Sequence, residues 1–473
     1  MRQLLLTLVL ASALSSHAQP ATFDPFDYSR DGALAFDLND ALRYALQHNF
    51  AIARAREQIE AQHGIFIQAR AEALPEVLVL GSYGRVSENR LNEFGPGNLA
   101  SSQSWIIDVE VRQTLYSGGR ITANLRAEKR LREAALLEWR SVVHDELLRV
   151  RESFYEVQLA QARIGVEEEA LELLEEQLND VQKRFDVGSA PRFDLLRARV
   201  AVANQRPELI RVRNDLRVAL VELREALGLR TQANGLERLD QPLSVVGEMA
   251  YQPREYALQE VLSTARTHRV ELDFLAAVEA SRTEALKSQE ATYLPDLDVF
   301  AGYGVEQSSF GTSLTDTLRG WRVGANLTWS LWAGWAREGR ILEARSSLNQ
   351  ARLDTDEERL TIEVEVRRAF SDWQQAEELV IASRQVVEEA AEALRLAEAR
   401  FAAGSATQLD LLEARVDLTE ARTNEVEALF SHNVALAQLL RAMGIADPFV
   451  TRPEVSFDLP PERANESRAE AAP

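Results

Sequence analysis

Two stretches of this chain read as long, regular helices, and little else fits them. From Leu136, apolar side chains recur at Val143, Val150, Val157, Ile164, Leu171, Leu178 and Phe185, seven positions apart without a miss. The same spacing runs through Val366, Trp373, Val380, Val387, Leu394 and Phe401. No proline falls between Pro96 and Pro191, or between Pro295 and Pro448, to interrupt either run. A seven-residue repeat sustained this far, with Glu and Arg between the apolar positions, means helices packed side by side by knobs into holes. A helix from about Gly118 to Val187 measures on the order of 100 Å at 1.5 Å per residue. That is too long for one globular domain.

The chain writes this plan twice. Arg184 to Arg199 reads RFDVGSAPRFDLLRAR, and Arg400 to Arg415 reads RFAAGSATQLDLLEAR. Trp105 recurs as Trp321, Leu115 as Leu331, Gly118 as Gly334, Phe154 as Phe370 and Gly228 as Gly444. Leu74-Pro75 recurs as Leu294-Pro295 and Tyr83-Gly84 as Tyr303-Gly304, with a slightly larger offset that places a loop between Gly84 and Trp105. The start matches too, LNDALRYALQHN at Leu38 paralleling LQEVLSTARTHR at Leu258. A period this long is an internal two-fold, not a solenoid of short repeats. The reading is residues 35–229 as repeat 1, 257–445 as repeat 2, and a Pro- and Gly-containing equatorial link over 230–256. Gly188 and Gly404 supply the left-handed position that ends each long helix, and a second helix returns. Pro207, with Thr423 as its counterpart, is expected to bend or interrupt the first returning helix.

The segments ahead of the long helices have a period of two. Trp321, Val323, Ala325, Leu327, Trp329 and Leu331 alternate with Arg322, Gly324, Asn326, Thr328 and Ser330. Trp105, Ile107, Val109 and Val111 alternate with Asp108, Glu110 and Arg112 at the matching place. Val77, Val79 and Tyr83 form a weaker version, and Leu297, Val299, Ala301, Tyr303 and Val305 a clear one. Four strands of about ten residues, apolar on one face and polar on the other, match transmembrane β-strands. Soluble hairpins with one buried face also alternate, but they rarely adjoin helices this long. Trp105 and Trp321 at one end, and Tyr116, Trp332 and Trp335 at the other, sit where an interfacial girdle would.

The bulk properties narrow the setting. Residues 1–18 carry a basic Arg2, an apolar run from Leu4 to Leu14 and Ser16-His17-Ala18, the pattern of a secretory signal peptide. Residues 19–34 then read as an N-terminal linker, and 446–473 as a largely disordered tail. There are no cysteines, so an exported chain of this kind holds together by packing alone and carries no lipid-bearing Cys. A net charge of −21 argues against a nucleic-acid partner. No apolar run reaches the roughly 20 residues of a membrane-crossing helix. The six histidines form no metal motif, and no phosphate loop or nucleophile elbow is present, so neither an enzyme nor a cofactor is expected.

Four strands cannot close a barrel, and in lipid every strand edge must be paired. Two chains would give eight strands with a filled interior, whereas three give twelve and leave a lumen. The fold class expected is therefore mainly α with transmembrane β: a homotrimeric twelve-stranded barrel, four strands per chain, continued by a long periplasmic coiled-coil barrel. The rival is a soluble periplasmic coiled-coil adaptor or scaffold, which would have no use for the alternation after Trp321.

The two hairpin tips, the strand-to-helix joints TLYSGG and SLWAGW, and ALQHNF at Ala45 together resemble the outer-membrane efflux protein family of TolC-like channels. The resemblance covers roughly Leu38 to Ile445. It implies an exit duct in the outer membrane with a periplasmic extension. A periplasmic adaptor (membrane fusion protein) and an inner-membrane pump would dock on its lower end. Val187, Gly188 and Ser189, with Gly404 and Ser405, resemble the family's adaptor-docking turns, Ala403 standing where Val is usual. Asp194 matches a gate aspartate whose family partners are a Tyr and an Arg; this chain has Phe401 and Ala406 there, with Arg192 or Arg197 as substitutes. Asp410 matches a lumen-facing carboxylate, and Glu413 stands in the position of a second acid. Those two are three apart and share a helix face. Tripled, they would form stacked rings of six carboxylates, as in cation-selective constrictions, some of them with raised pKa values.

Overall fold

The computed structural model describes residues 34–86, 103–229, 243–251, 253–307 and 317–445. The signal peptide, the loop between Gly84 and Trp105, most of the equatorial link and the tail lie outside the described residues. Each repeat opens with a broken helix rather than one continuous helix. Repeat 1 has β1 (Leu34–Phe36), α1 (Leu38–His48) and α2 (Phe50–Ala71). Then come β2 (Glu76–Arg85), β3 (Gln103–Tyr116), the long α3 (Arg120–Asp186) and the returning α4 (Arg192–Leu227). After β4 (Leu243–Val245), repeat 2 has α5 (Leu258–His268), α6 (Val270–Glu290), β5 (Asp296–Gln307), β6 (Thr317–Thr328), α7 (Ala336–Ala402) and α8 (Gln408–Ala442). Both long helices contain 67 residues, as the heptads require. Pro207 does not interrupt the returning helix: α4 runs through it from Arg192 to Leu227.

The heptad positions supply the cores. Val143, Val150 and Val157 are fully buried with Phe154, Leu42, Ile52, Leu223 and Leu227 in repeat 1. Val366 and Trp373 occupy the corresponding core of repeat 2 with Val261, Phe370 and Leu439. Nearer the tips the clusters shrink to Val181, Leu195 and Ala198 in one hairpin and Leu394, Leu411 and Leu418 in the other.

The break in each leading helix is the point on which the returning helix lands. Asn49 caps α2 by accepting from the amides of Ala51 and Ile52, and it donates to the carbonyl of Ala226 at the end of α4. In repeat 2 the same place holds Arg269, which donates to the carbonyl of Ala442 at the end of α8. The chain then leaves through Gly228 and Gly444, both at φ +70. A Cβ on Gly228 would lie 2.5 Å from the His48 carbonyl oxygen, and one on Gly444 2.7 Å from that of His268. Here glycine is required twice over, by backbone angle and by space.

Repeat 2 is bolted to repeat 1 through charge. Glu271 accepts from Ser141 on α3 at 2.9 Å and from Arg441 on α8 at 2.6 Å, and it pairs with Arg269 at 3.0 Å. Arg441 reaches Asp145 on α3 as well. Burial pushes the Glu271 carboxyl up, but Arg441 and Arg269 outweigh that and hold it down at about 2.

The four strands form one antiparallel sheet in the order β2-β3-β5-β6. Val79, Val109, Tyr303 and Trp321 lie opposite one another across it, and Val77, Val111, Ala301 and Val323 form the next row. This apolar face is bare: Val79 is 71% and Val323 67% exposed. No helix among the described residues is long and apolar enough to cross a membrane, which leaves this sheet as the apolar element. The last strand differs from its sequence reading. It spans Thr317–Thr328, not Trp321–Leu331, so Trp321 lies inside the strand rather than at its end. Trp329 has left the ladder and donates its indole N–H to the Tyr293 carbonyl, closing the joint to α7.

Two outcomes follow. Glu271→Ala removes the carboxylate that two largely buried guanidinium groups share, leaving Arg441 with Asp145 and Arg269 with Glu365, and should cost about 1.5–3 kcal/mol, read as a lower urea midpoint of the detergent-solubilised protein. Glu271 has a depressed folded pKa, so its contribution is complete above pH 4.5 and is lost as pH falls towards 2, where wild type and variant should converge. On the sheet, Val323→Arg at mid-strand should cost about 2–4 kcal/mol, whereas Asn326→Arg on the opposite face should be tolerated. Equal assembly of both variants would contradict a membrane-facing apolar side.

Candidate functional site

The two hairpin tips are built by the same turn. At the end of α3 the Gly188 amide donates to the Phe185 carbonyl at 2.9 Å and the Ser189 amide to that of Arg184 at 2.8 Å. At the end of α7 the Gly404 amide donates to Phe401 at 3.0 Å and the Ser405 amide to Arg400 at 2.9 Å. These are Schellman closures, and both glycines are left-handed, at φ +78 and +74. A Cβ on either would meet nothing within 4 Å, so the backbone angle, not crowding, demands glycine here. Each serine hydroxyl adds a second bond to the same arginine carbonyl. Val187, Gly188, Ser189, Gly404 and Ser405 are all exposed at the extremity of the hairpins.

The two returning helices start differently. Thr407 caps α8: its hydroxyl accepts from the Asp410 amide, and the Asp410 carboxylate accepts from the Thr407 amide at 2.8 Å. This capping box satisfies two amides reciprocally. Repeat 1 has Pro191 and Asp194 in the equivalent positions, and no side-chain cap forms. Proline has no N–H to donate. The Asp194 carboxylate is thereby released, and no ion pair among the described residues reaches it.

Neither arginine proposed as its substitute partner takes that role in the protomer. Arg197 lies over the ring of Phe193 at 5.6 Å, and Arg192 makes no ion pair with Asp194. Phe401 is instead covered by Arg184, whose guanidinium sits 5.1 Å from the ring centroid. The tips enclose a groove of about 510 Å³ lined by Arg184, Asp194, Arg197, Phe401 and Gln408. Gln408 bridges it by donating to the Asp194 backbone carbonyl at 3.5 Å.

Asp410 and Glu413 are both exposed on the first turns of α8. In the single chain, bonds from the Thr407 amide and hydroxyl hold the Asp410 carboxyl below the usual carboxylate range. The pattern Thr-x-x-Asp was present in the sequence as a capping signal and points to this bond. The cross-tie from Arg415 to the Leu173 carbonyl and Gln177, which joins the second tip to the long helix of repeat 1, had no local signal.

A family model described as outer membrane efflux protein matches residues 41–229 and 261–445. Protein CyaE of Bordetella pertussis is 25% identical over 437 residues, covering 92% of this chain and 90% of its own. The alkaline protease secretion protein AprF of Pseudomonas aeruginosa is 24% identical over 428 residues, covering 88% and 86%. Among solved structures, the outer membrane protein VceC of Vibrio cholerae superposes with a TM-score of 0.71 at 18% identity, covering 86% of this chain and 96% of its own.

The capping box has a measurable consequence. Thr407→Val keeps the side-chain volume and removes the acceptor, at about 1 kcal/mol. Amide exchange at Asp410, whose N–H donates to the Thr407 hydroxyl, should quicken roughly fivefold, since 1.4 kcal/mol is a factor of ten. The start of α4 should not change. Unaltered exchange at Asp410 would mean that the cap contributes nothing in solution.

Proposed function

The chain belongs to the outer membrane efflux protein family, and from that premise we propose that it is a trimeric exit duct of a tripartite efflux or type I secretion system. The sheet carries the reading. A four-stranded sheet with one bare apolar face, joined directly to two 67-residue helices, suits a barrel in lipid continued by a helical tube. A soluble adaptor or scaffold would leave that face without a partner. Three chains supply the twelve strands that close the sheet around a lumen. They would also cover apolar side chains left bare along α7, among them Leu342, Leu353, Leu360 and Val364.

The tips are the docking and gating end. The identical Schellman turns at Gly188 and Gly404 present similar surfaces twice per chain, which suits a periplasmic adaptor that must grip a six-fold arrangement of hairpins and couple it to an inner-membrane pump. Asp410 and Glu413 line the entrance as rings of carboxylates, with Asp410 kept ionised by its cap. Asp194, freed by Pro191, and Phe401 belong to the constriction. Since Tyr and Arg are absent from the partner positions, closure rests on packing of the Phe401 ring under Arg184 more than on ion pairs.

The test is in cells. Gly188→Leu combined with Gly404→Leu places β-carbons in a left-handed backbone at about 1–2 kcal/mol each, a cost the long helices can absorb. Trimers should still reach the outer membrane, while efflux or secretion should fall to the level of a strain lacking the duct. Normal transport with normal adaptor crosslinking would rule out the tips as the docking site.

A further inference from the structure

The face of the sheet opposite the apolar one carries four charged side chains that lie flat across its middle. Leu78, Glu110, Gly302 and Arg322 are opposite one another in the register, and Leu80, Asp108, Gly304 and Gly320 form the next row. Arg322 of β6 reaches over β5 to β3, where one terminal nitrogen bonds both the Asp108 carboxylate and, at 2.7 Å, that of Glu110. Arg112 closes the set from the other side, 2.8 Å from Glu110. Both acids are 3% exposed although they stand on an open sheet face.

Glycine makes this possible. A Cβ on Gly304 would lie 2.8 Å from Asp108 Oδ1, and one on Gly302 3.3 Å from the same atom and 3.5 Å from Arg322 Nε. The furrow they leave in β5 is what Arg322 crosses. Phe300 is laid down the same way, its ring 5.7 Å from the Arg322 guanidinium and occupying the space that a Cβ on Gly324 would fill.

We propose that Asp108, Glu110, Arg112 and Arg322 form a size-determining belt, a clamp that holds two arginines against the wall so that the barrel passes wide cargo. The proposal rests on the duct reading, which turns this face towards the lumen. Twelve strands enclose a space between that of eight, which side chains fill, and that of sixteen, which is an open channel. Three Arg322 arms standing into such a lumen would occupy much of it. Carboxylates shielded within the wall hold a guanidinium far better than exposed ones do, because water competes less for the pairing.

The chain has no cysteine, so one introduced thiol reports a single place. Asn326→Cys lies on the same face as Arg322, further along β6 towards the helical end, and a reagent added outside the cell must pass the belt to reach it. A small maleimide should label it at the same rate in every background. A maleimide on a long polyethylene-glycol chain should label the clamped protein readily. With Asp108→Ala and Glu110→Ala its rate should fall roughly tenfold, which is about 1.4 kcal/mol of added barrier. Adding Arg112→Ala and Arg322→Ala to that pair should restore it. The small reagent serves as the check on folding, because a collapsed barrel would slow it too. Equal rates for the large reagent in all three backgrounds, or no rescue by removing both arginines, would overturn the belt. If the small reagent fails at Asn326→Cys yet labels Leu327→Cys, this face is not lumenal, and the duct reading falls together with the belt.

Discussion

The protomer is organised by a close backbone approach made twice: the end of a returning helix set against a break in a leading helix. At Gly228 and Gly444 there is no room for even one more carbon, and the neighbouring atoms are carbonyl groups that cannot swing aside. That contact fixes where α4 and α8 stop relative to α1–α2 and α5–α6. Through them it fixes the depth at which each long hairpin leaves the waist. Strands projecting one way and hairpins the other can be aligned among three copies only if this junction is the same in every chain. Arg441, paired with Glu271 and with Asp145 on α3, then ties one repeat to the other.

Duplication kept the geometry and changed the chemistry. Asn49 and Arg269 reach the same carbonyl position with different side chains. Pro191 and Thr407 start equivalent helices, one leaving its aspartate free and the other tying it down. At the strand-to-helix joint, Gly119 and Trp335 occupy the same left-handed position, Trp335 being the one non-glycine residue among those described with positive φ. A tryptophan there accepts about 1–3 kcal/mol of strain, which fits a site where an exposed ring at the edge of the lipid is worth more than a relaxed turn. A three-fold assembly built from such chains has six similar hairpins of two kinds. Three of them start the returning helix with a capped aspartate and three with an uncapped one.

Much of this was legible from the residues. The heptads gave both long helices because a seven-residue apolar repeat has no other use over such length, and Gly-Ser marked the tips because a left-handed angle excludes side chains. The last strand was misplaced by about four residues because Arg319 breaks the alternation at its start while Trp329 and Leu331 extend it falsely beyond Thr328. The break at Asn49 is marked only by its side-chain cap on α2. A proline inside a helix signals a bend or a break, and at Pro207 there is no break, α4 being supported along its length by α3. The clamp could not be read at all: Asp108 and Arg322 are 214 positions apart, and only the strand register brings them together. Buried His432, with neither ring nitrogen bonded among the described residues, likewise had no signal, as the equivalent position of repeat 1 is Leu216.

An exit duct requires that the sheet be a shared barrel in the outer membrane. Separation of the cell envelope, followed by gel electrophoresis with and without boiling, tests that directly. The chain should remain with the outer membrane through high-salt washing, run as a trimer when unheated, and collapse to the monomer on boiling. Release of the chain by osmotic shock, as a species whose migration does not change with heating, would contradict it.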